Sequence, residues 1–115
     1  MTRRIDLLGA DELAEGEMRM CWVDGGASPV LVVRQGGELR AFQGTCTHQY
    51  FELDRGFLAA TSVMCPLHLS QFDLATGEAL DPPADVPLSV YPVQLVDGRV
   101  TIEVPDGPLE INEPD

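Results

Sequence analysis

Asp97-Gly98 stands between two apolar runs, Tyr91 to Val96 and Arg99 to Val104, and this pairing constrains the fold more than any other feature. An Asp-Gly pair readily takes the left-handed backbone that a two-residue hairpin turn demands, so the flanking runs are expected to pair antiparallel. In the second run Val100, Ile102 and Val104 alternate with Thr101 and Glu103, the period of a half-buried strand. The same punctuation recurs upstream. Gln35-Gly36-Gly37 separates Val30–Val33 from Glu38–Phe42 and predicts a hairpin over 30–42, and Met18–Val23 runs into Asp24-Gly25-Gly26 as a further strand. Met18, Met20 and Trp22 share one face at strand spacing and are expected in the core, with Cys21 a small packing residue beside them. A single helical turn is expected around Asp11–Ala14. These signals predict an all-β fold, a small antiparallel β-sandwich or barrel.

A chain of 115 residues supports one domain, 1–115, with a modest core. Its net charge is -12, and its seven basic residues are all arginines, scattered without a basic stripe. Nucleic acid and anionic membranes are therefore excluded as partners, whereas a partner with a positive face would be steered in. No apolar run is long enough to span a membrane. Arg3-Arg4 is followed by Asp6 and Asp11, which interrupt the apolar run an export signal requires. Three cysteines cannot all pair with one another, so a disulfide scaffold is not expected and the reading is cytoplasmic. Asp81 to Pro87 is too rich in proline for a central strand and reads as an ordered loop. An acidic tail over about 105–115 is expected to be mobile at its end.

Residues of about 44–76 break the strand rhythm and hold both histidines and two of the three cysteines. They form two tight groups, Cys46-Thr-His48 and Cys65-Pro-Leu-His68, with sixteen residues between them. Each pair is short enough for one loop to point both side chains inward. Gly44 before the first pair and Pro66 inside the second favour loops of fixed shape. Two thiolates and two imidazoles could then close on a metal centre from opposite sides. Structural zinc is one occupant of such a set. Against it, Cys-x-His is shorter than a usual zinc knuckle and the second pair lacks the helical His-x-x-x-His spacing.

This pattern resembles the Rieske [2Fe–2S] proteins, whose signature is Cys-x-His, a spacer of similar length, then Cys-x-x-His. The Phe72-Asp-Leu-Ala-Thr-Gly77 run after the second pair and the two-strand ending fit the same family. The resemblance implies the Rieske fold, with a cluster-binding subdomain inserted as two loops, and one [2Fe–2S] cluster per chain. Cys46 and Cys65 would hold the inner iron, and His48 and His68 the outer iron through their δ nitrogens. Replacing two thiolates by neutral imidazoles removes negative charge from the cluster and raises its potential to roughly -150 to +300 mV.

Within the family the details look most like the ferredoxin components of bacterial toluene and alkene monooxygenases. The implied role is that of a one-electron carrier, not an enzyme in its own right. It would take electrons from a flavin-containing NAD(P)H reductase and pass them to the hydroxylase component of a di-iron hydrocarbon monooxygenase. The alternative is a ferredoxin of a Rieske-type aromatic ring-hydroxylating dioxygenase; a nitrite reductase small subunit and a zinc-binding interaction module are weaker readings. The expected state is a monomer with transient docking, for which Asp54, Asp81 and Asp85 are candidate contacts. Gln49 and Tyr50 are candidate rim residues, and Phe51 reads as a cover. The respiratory members carry an inter-loop disulfide where this chain has Phe51 and Leu67. Ser70 stands where a serine in those members donates to a cluster sulfur; its competing reading is a solvent-facing hydroxyl.

Overall fold

Both glycine-marked hairpins form where their turn residues demand. The computed structural model describes residues 1–26, 28–47, 51–66, 70–80, 86–109 and 111. Strands β3 (Ser28–Gln35) and β4 (Glu38–Gln43) close on the pair Gln35–Glu38. Gly36 and Gly37 between them have φ of 66° and 78°, the consecutive left-handed pair of a tight hairpin. The two turn amides donate to the Glu15 carboxylate at 2.6 and 2.9 Å, so an anionic side chain satisfies a bend that would otherwise expose both N–H groups. Asp97 and Gly98 repeat the geometry with φ of 51° and 76° between β9 (Val93–Val96) and β10 (Arg99–Pro105).

The expected Tyr91–Val96 arm is not one strand. Pro92 has no amide to give a ladder, and the chain changes sheets there. β8 (Val90–Tyr91) pairs with β4, whereas β9 pairs with β10. A further strand, β1 (Thr2–Gly9), was not foreseen because charged residues interleave its apolar ones; it pairs along β10. With β2 (Glu17–Val23), the scaffold consists of two antiparallel sheets ordered β1-β10-β9 and β2-β3-β4-β8. A third small sheet orders β5 (Phe57–Leu58), β6 (Ser62–Met64) and β7 (Gln71–Asp73). The expected helical turn is a 3-10 turn at Ala10–Glu12, and among the described residues no helix is long and apolar enough to cross a membrane.

β3 explains how these layers join. Its near-continuous run Val30-Leu-Val-Val33 is buried on both faces, the pattern of a strand covered twice. Val30 and Val32 enter a core with Leu8, Ala41, Val100 and Ile102 between the two large sheets. Leu31 and Val33 enter a second core with Phe42, Leu53, Val63 and Phe72, which ties the small sheet to the scaffold. Burial of each such side chain contributes about 1.5–3 kcal/mol, so one strand supplies the common wall of both cores. Trp22 departs from expectation. Met18 and Met20 are half-buried, but Trp22 is half-exposed, because β2 is an edge strand of its sheet and nothing described covers its outer end.

Candidate metal centre

Two loops of matched construction carry the cysteines. The first leaves β4 through Gly44, whose amide donates to Pro29 O at 2.9 Å and whose carbonyl accepts from Leu53 N at 2.9 Å. An isolated bridge joins Thr45 to Glu52 across its base. The second loop tops the β6–β7 hairpin, whose last pair is Met64–Gln71. In both, the cysteine amide donates to the carbonyl five residues on: Cys46 to Phe51 at 3.0 Å and Cys65 to Ser70 at 2.8 Å. A Cβ on Gly44 would lie 2.3 Å from Met20 Sδ, and one on Gly56 would lie 2.0 Å from the Met64 carbonyl oxygen. Both glycines are thus required by close approach, one under each loop.

Cys46 and Cys65 are fully buried and belong to the same core, with Leu53, Val63 and Phe72. The structure therefore brings together two cysteines that lie nineteen positions apart in the sequence. His48 and His68 lie outside the described residues, as do Gln49, Tyr50, Leu67, Asp81 and Asp85. Phe51 is half-buried and packs on this core, in keeping with a covering role. Asp54 is exposed on a short turn after the first loop. Cys21 is set apart: it packs beside the other core, and burial pushes its thiol pKa up, which suits an inert residue.

Ser70 decides how well the site suits a cluster. Its side chain is fully buried, which rules out the solvent-facing reading, and its hydroxyl has no partner among the described residues. An orphaned buried hydroxyl costs about 1–3 kcal/mol, so its placement beside the Cys65 loop calls for an acceptor that the described protein atoms do not supply. Sulfur of an iron–sulfur centre is such an acceptor. The residues present fit the group.

Two supporting residues escaped the sequence reading. Thr47, between the candidate ligands of the first loop, is fully buried, and its hydroxyl donates to Val86 O. Gln43, also fully buried, donates through Nε2 to Thr45 O at 3.0 Å and accepts from Ser89 N at 2.8 Å. Polar residues this close to a cysteine motif were the available signal, but Val86 and Ser89 lie 39 and 46 residues away from Thr47 and Gln43 in sequence, beyond any local pattern.

Residues 4–92 match the family model described as the Rieske [2Fe-2S] domain. The biphenyl 2,3-dioxygenase ferredoxin component of Rhodococcus jostii (strain RHA1) is 37% identical over 101 residues, covering 88% of this chain and 92% of that protein. Among solved structures, the Sphingomonas yanoikuyae B1 ferredoxin superposes with a TM-score of 0.83 at 30% identity, over 90% of this chain and 100% of that one. A chain from a complex of reduced oxygenase and oxidized ferredoxin in carbazole 1,9a-dioxygenase gives 0.81 at 31% identity, over 93% and 97% of the two chains.

Proposed function

This chain belongs to the Rieske [2Fe–2S] family, and from that membership we propose that it carries electrons to the oxygenase component of an aromatic ring-hydroxylating dioxygenase. The cofactor of the family is a [2Fe–2S] cluster, and the protein is an electron carrier, not an enzyme in its own right. When bound, the cluster supplies a site that accepts and releases one electron. Cys46, His48, Cys65 and His68 are the ligands in this reading, within a single Rieske domain over 1–115. It is supported by the burial of Cys46 and Cys65 in one core and by the matched closure of their loops. Ser70 is the hydroxyl donor available to a cluster sulfur.

The di-iron monooxygenase reading gives way to its alternative. Near full-length similarity to dioxygenase ferredoxins carries the choice of acceptor: the relative above is a biphenyl dioxygenase component and aligns over most of both chains. The donor in this reading is a flavin-containing NAD(P)H reductase in the cytoplasm. Docking is transient and salt-sensitive, because a chain of net charge -12 attracts a positive face over distance and small redox interfaces bury little area.

Reconstitution tests this directly. The pure protein is mixed with a flavin reductase and either the oxygenase of the biphenyl dioxygenase system or a di-iron toluene hydroxylase, and NADH-dependent product is measured. Product with the dioxygenase and none with the hydroxylase is expected. The reverse pattern restores the monooxygenase reading, and a colourless protein holding one zinc defeats both.

A further inference from the structure

The segment from Val86 to Ser89 touches the bases of both loop regions. Thr47 Oγ1 donates to Val86 O across 39 positions. At the other end of the segment, Gln43 N donates to Ser89 O at 2.9 Å while Ser89 N returns a bond to Gln43 Oε1 at 2.8 Å. Gln43 Nε2 continues to Thr45 O. The first loop is therefore gripped on both sides of Cys46, by Thr45 before it and Thr47 after it. Between these ties Leu88 N donates to Gly77 O at 2.7 Å, and the Leu88 side chain joins the core that holds both cysteines. Gly77 has φ 78°, and a Cβ there would come within 2.5 Å of Leu88 O. The segment thus lies against the turn that follows β7, on the return from the second loop.

We propose that residues 86–89 form a strap and that Thr47 is the positioning residue through which it holds the first loop's ligands. This inference rests on the ligand reading above, because Thr47 lies between Cys46 and His48. A hydroxyl bonded across the fold fixes the peptide that joins those two side chains. Without that bond the loop keeps its Cys46–Phe51 closure but loses its orientation relative to the second loop. The effect falls on the metal site itself. A merely structural role would lower stability and leave the bound cluster's spectrum unchanged.

The test compares Thr47→Val, which keeps the shape and removes the hydroxyl, with Thr47→Ser, which keeps the hydroxyl. Thr101→Val is the matched control: Thr101 is buried in the scaffold and its hydroxyl donates to Gln94 O at 3.0 Å, within the sheet that carries no cysteine. Each cluster-loaded protein is read by EPR after reduction and by bleaching of visible absorbance with an iron chelator. Loss about tenfold faster, with a shifted g-tensor, is expected for Thr47→Val, the size of effect typical of residues that orient metal ligands. Thr47→Ser and Thr101→Val should retain wild-type spectra and rates. Should Thr47→Val not accumulate, Thr47→Ala is read by the same two measures. Wild-type behaviour in the valine or alanine variant overturns the proposal, as does an equal change in Thr101→Val or an altered spectrum in Thr47→Ser. A wild-type protein that takes up no cluster defeats the ligand reading instead, and the strap's role with it.

Discussion

The two cysteine loops share one closure and stand on different foundations. Each cysteine amide bonds the carbonyl five residues on. The second loop rises from a paired hairpin, β6 against β7, so its base is held by local ladder bonds. The first rests on a single bridge, Thr45 to Glu52, and borrows the rest of its support from Gln43, Thr47 and residues 86–89. Their inner linings differ too: at the equivalent closing position the first loop has the apolar Phe51 and the second the buried hydroxyl of Ser70. A local hairpin forms from nearby residues, whereas distant ties form only when the whole domain does. The first loop is therefore the more dependent on the rest of the molecule.

The largest expected effect tests what the two loops hold in common. Gly56→Ala drives a Cβ against the Met64 carbonyl, where the chain leaving the first loop meets the strand entering the second. Backbone cannot yield as a side chain can, so a loss of about 3 kcal/mol is expected in urea unfolding. Gly44→Ala chiefly meets the flexible Met20 side chain and should cost less; equal losses would remove the distinction.

Gln43→Leu breaks the first loop's distant support. It leaves Thr45 O and Ser89 N without their side-chain partner and should cost about 1–3 kcal/mol, with faster cluster loss. Unchanged retention would mean that the Thr45–Glu52 bridge suffices. Ser70→Ala sharpens the contrast in lining. Removing an orphaned hydroxyl should make the cluster-free protein more stable, by about 1 kcal/mol. In the loaded protein, loss of a donor bond worth about 1 kcal/mol should lower the potential by about 40 mV, on the scale of 59 mV per tenfold for one electron. Voltammetry reads the shift, and an unchanged potential removes Ser70 from the cluster's surroundings.

The smallest effect lies on the scaffold, away from both loops. Arg3 donates to Asp24 at 2.8 and 2.9 Å and to Gly107 O at 2.8 Å. The side-chain hydrogen bond from Arg3 holds the Asp24 carboxyl below the usual carboxylate range. A lowered folded-state pKa means that this stabilisation is complete above the unfolded value of about 4 and is lost as pH falls through the folded one. Melting of wild type and Asp24→Asn should differ slightly at neutral pH and converge in acid, while cluster retention stays equal. A difference that grew on acidification would contradict this.

Much of the scaffold was legible because its signals are local. Gly36-Gly37 and Asp97-Gly98 specify their turns by backbone conformation alone, and the Val100, Ile102, Val104 alternation marks the buried face of β10. Thr101 is nevertheless buried on the other face, where Gln94 O accepts its hydroxyl. Trp22 shows the opposite failure: strand spacing assigns a side to a residue but does not say whether that side is covered. The break at Pro92 was visible as a proline, yet the exchange of partners from β4 to β10 depends on where two sheets meet.

The Cys46-Thr-His48 and Cys65-Pro-Leu-His68 motifs, the acidic surface and the turn residues were determined by the sequence alone, since ligand chemistry, charge and local backbone preference belong to the residues themselves. Tertiary structure decided that Cys46 and Cys65 share one core, that Ser70 is sealed inside without a described partner, and that Val86 to Ser89 bind the first loop's base. Those facts arise from packing between segments far apart in the chain, where burial and hydrogen-bond satisfaction are settled only by what arrives on the other side.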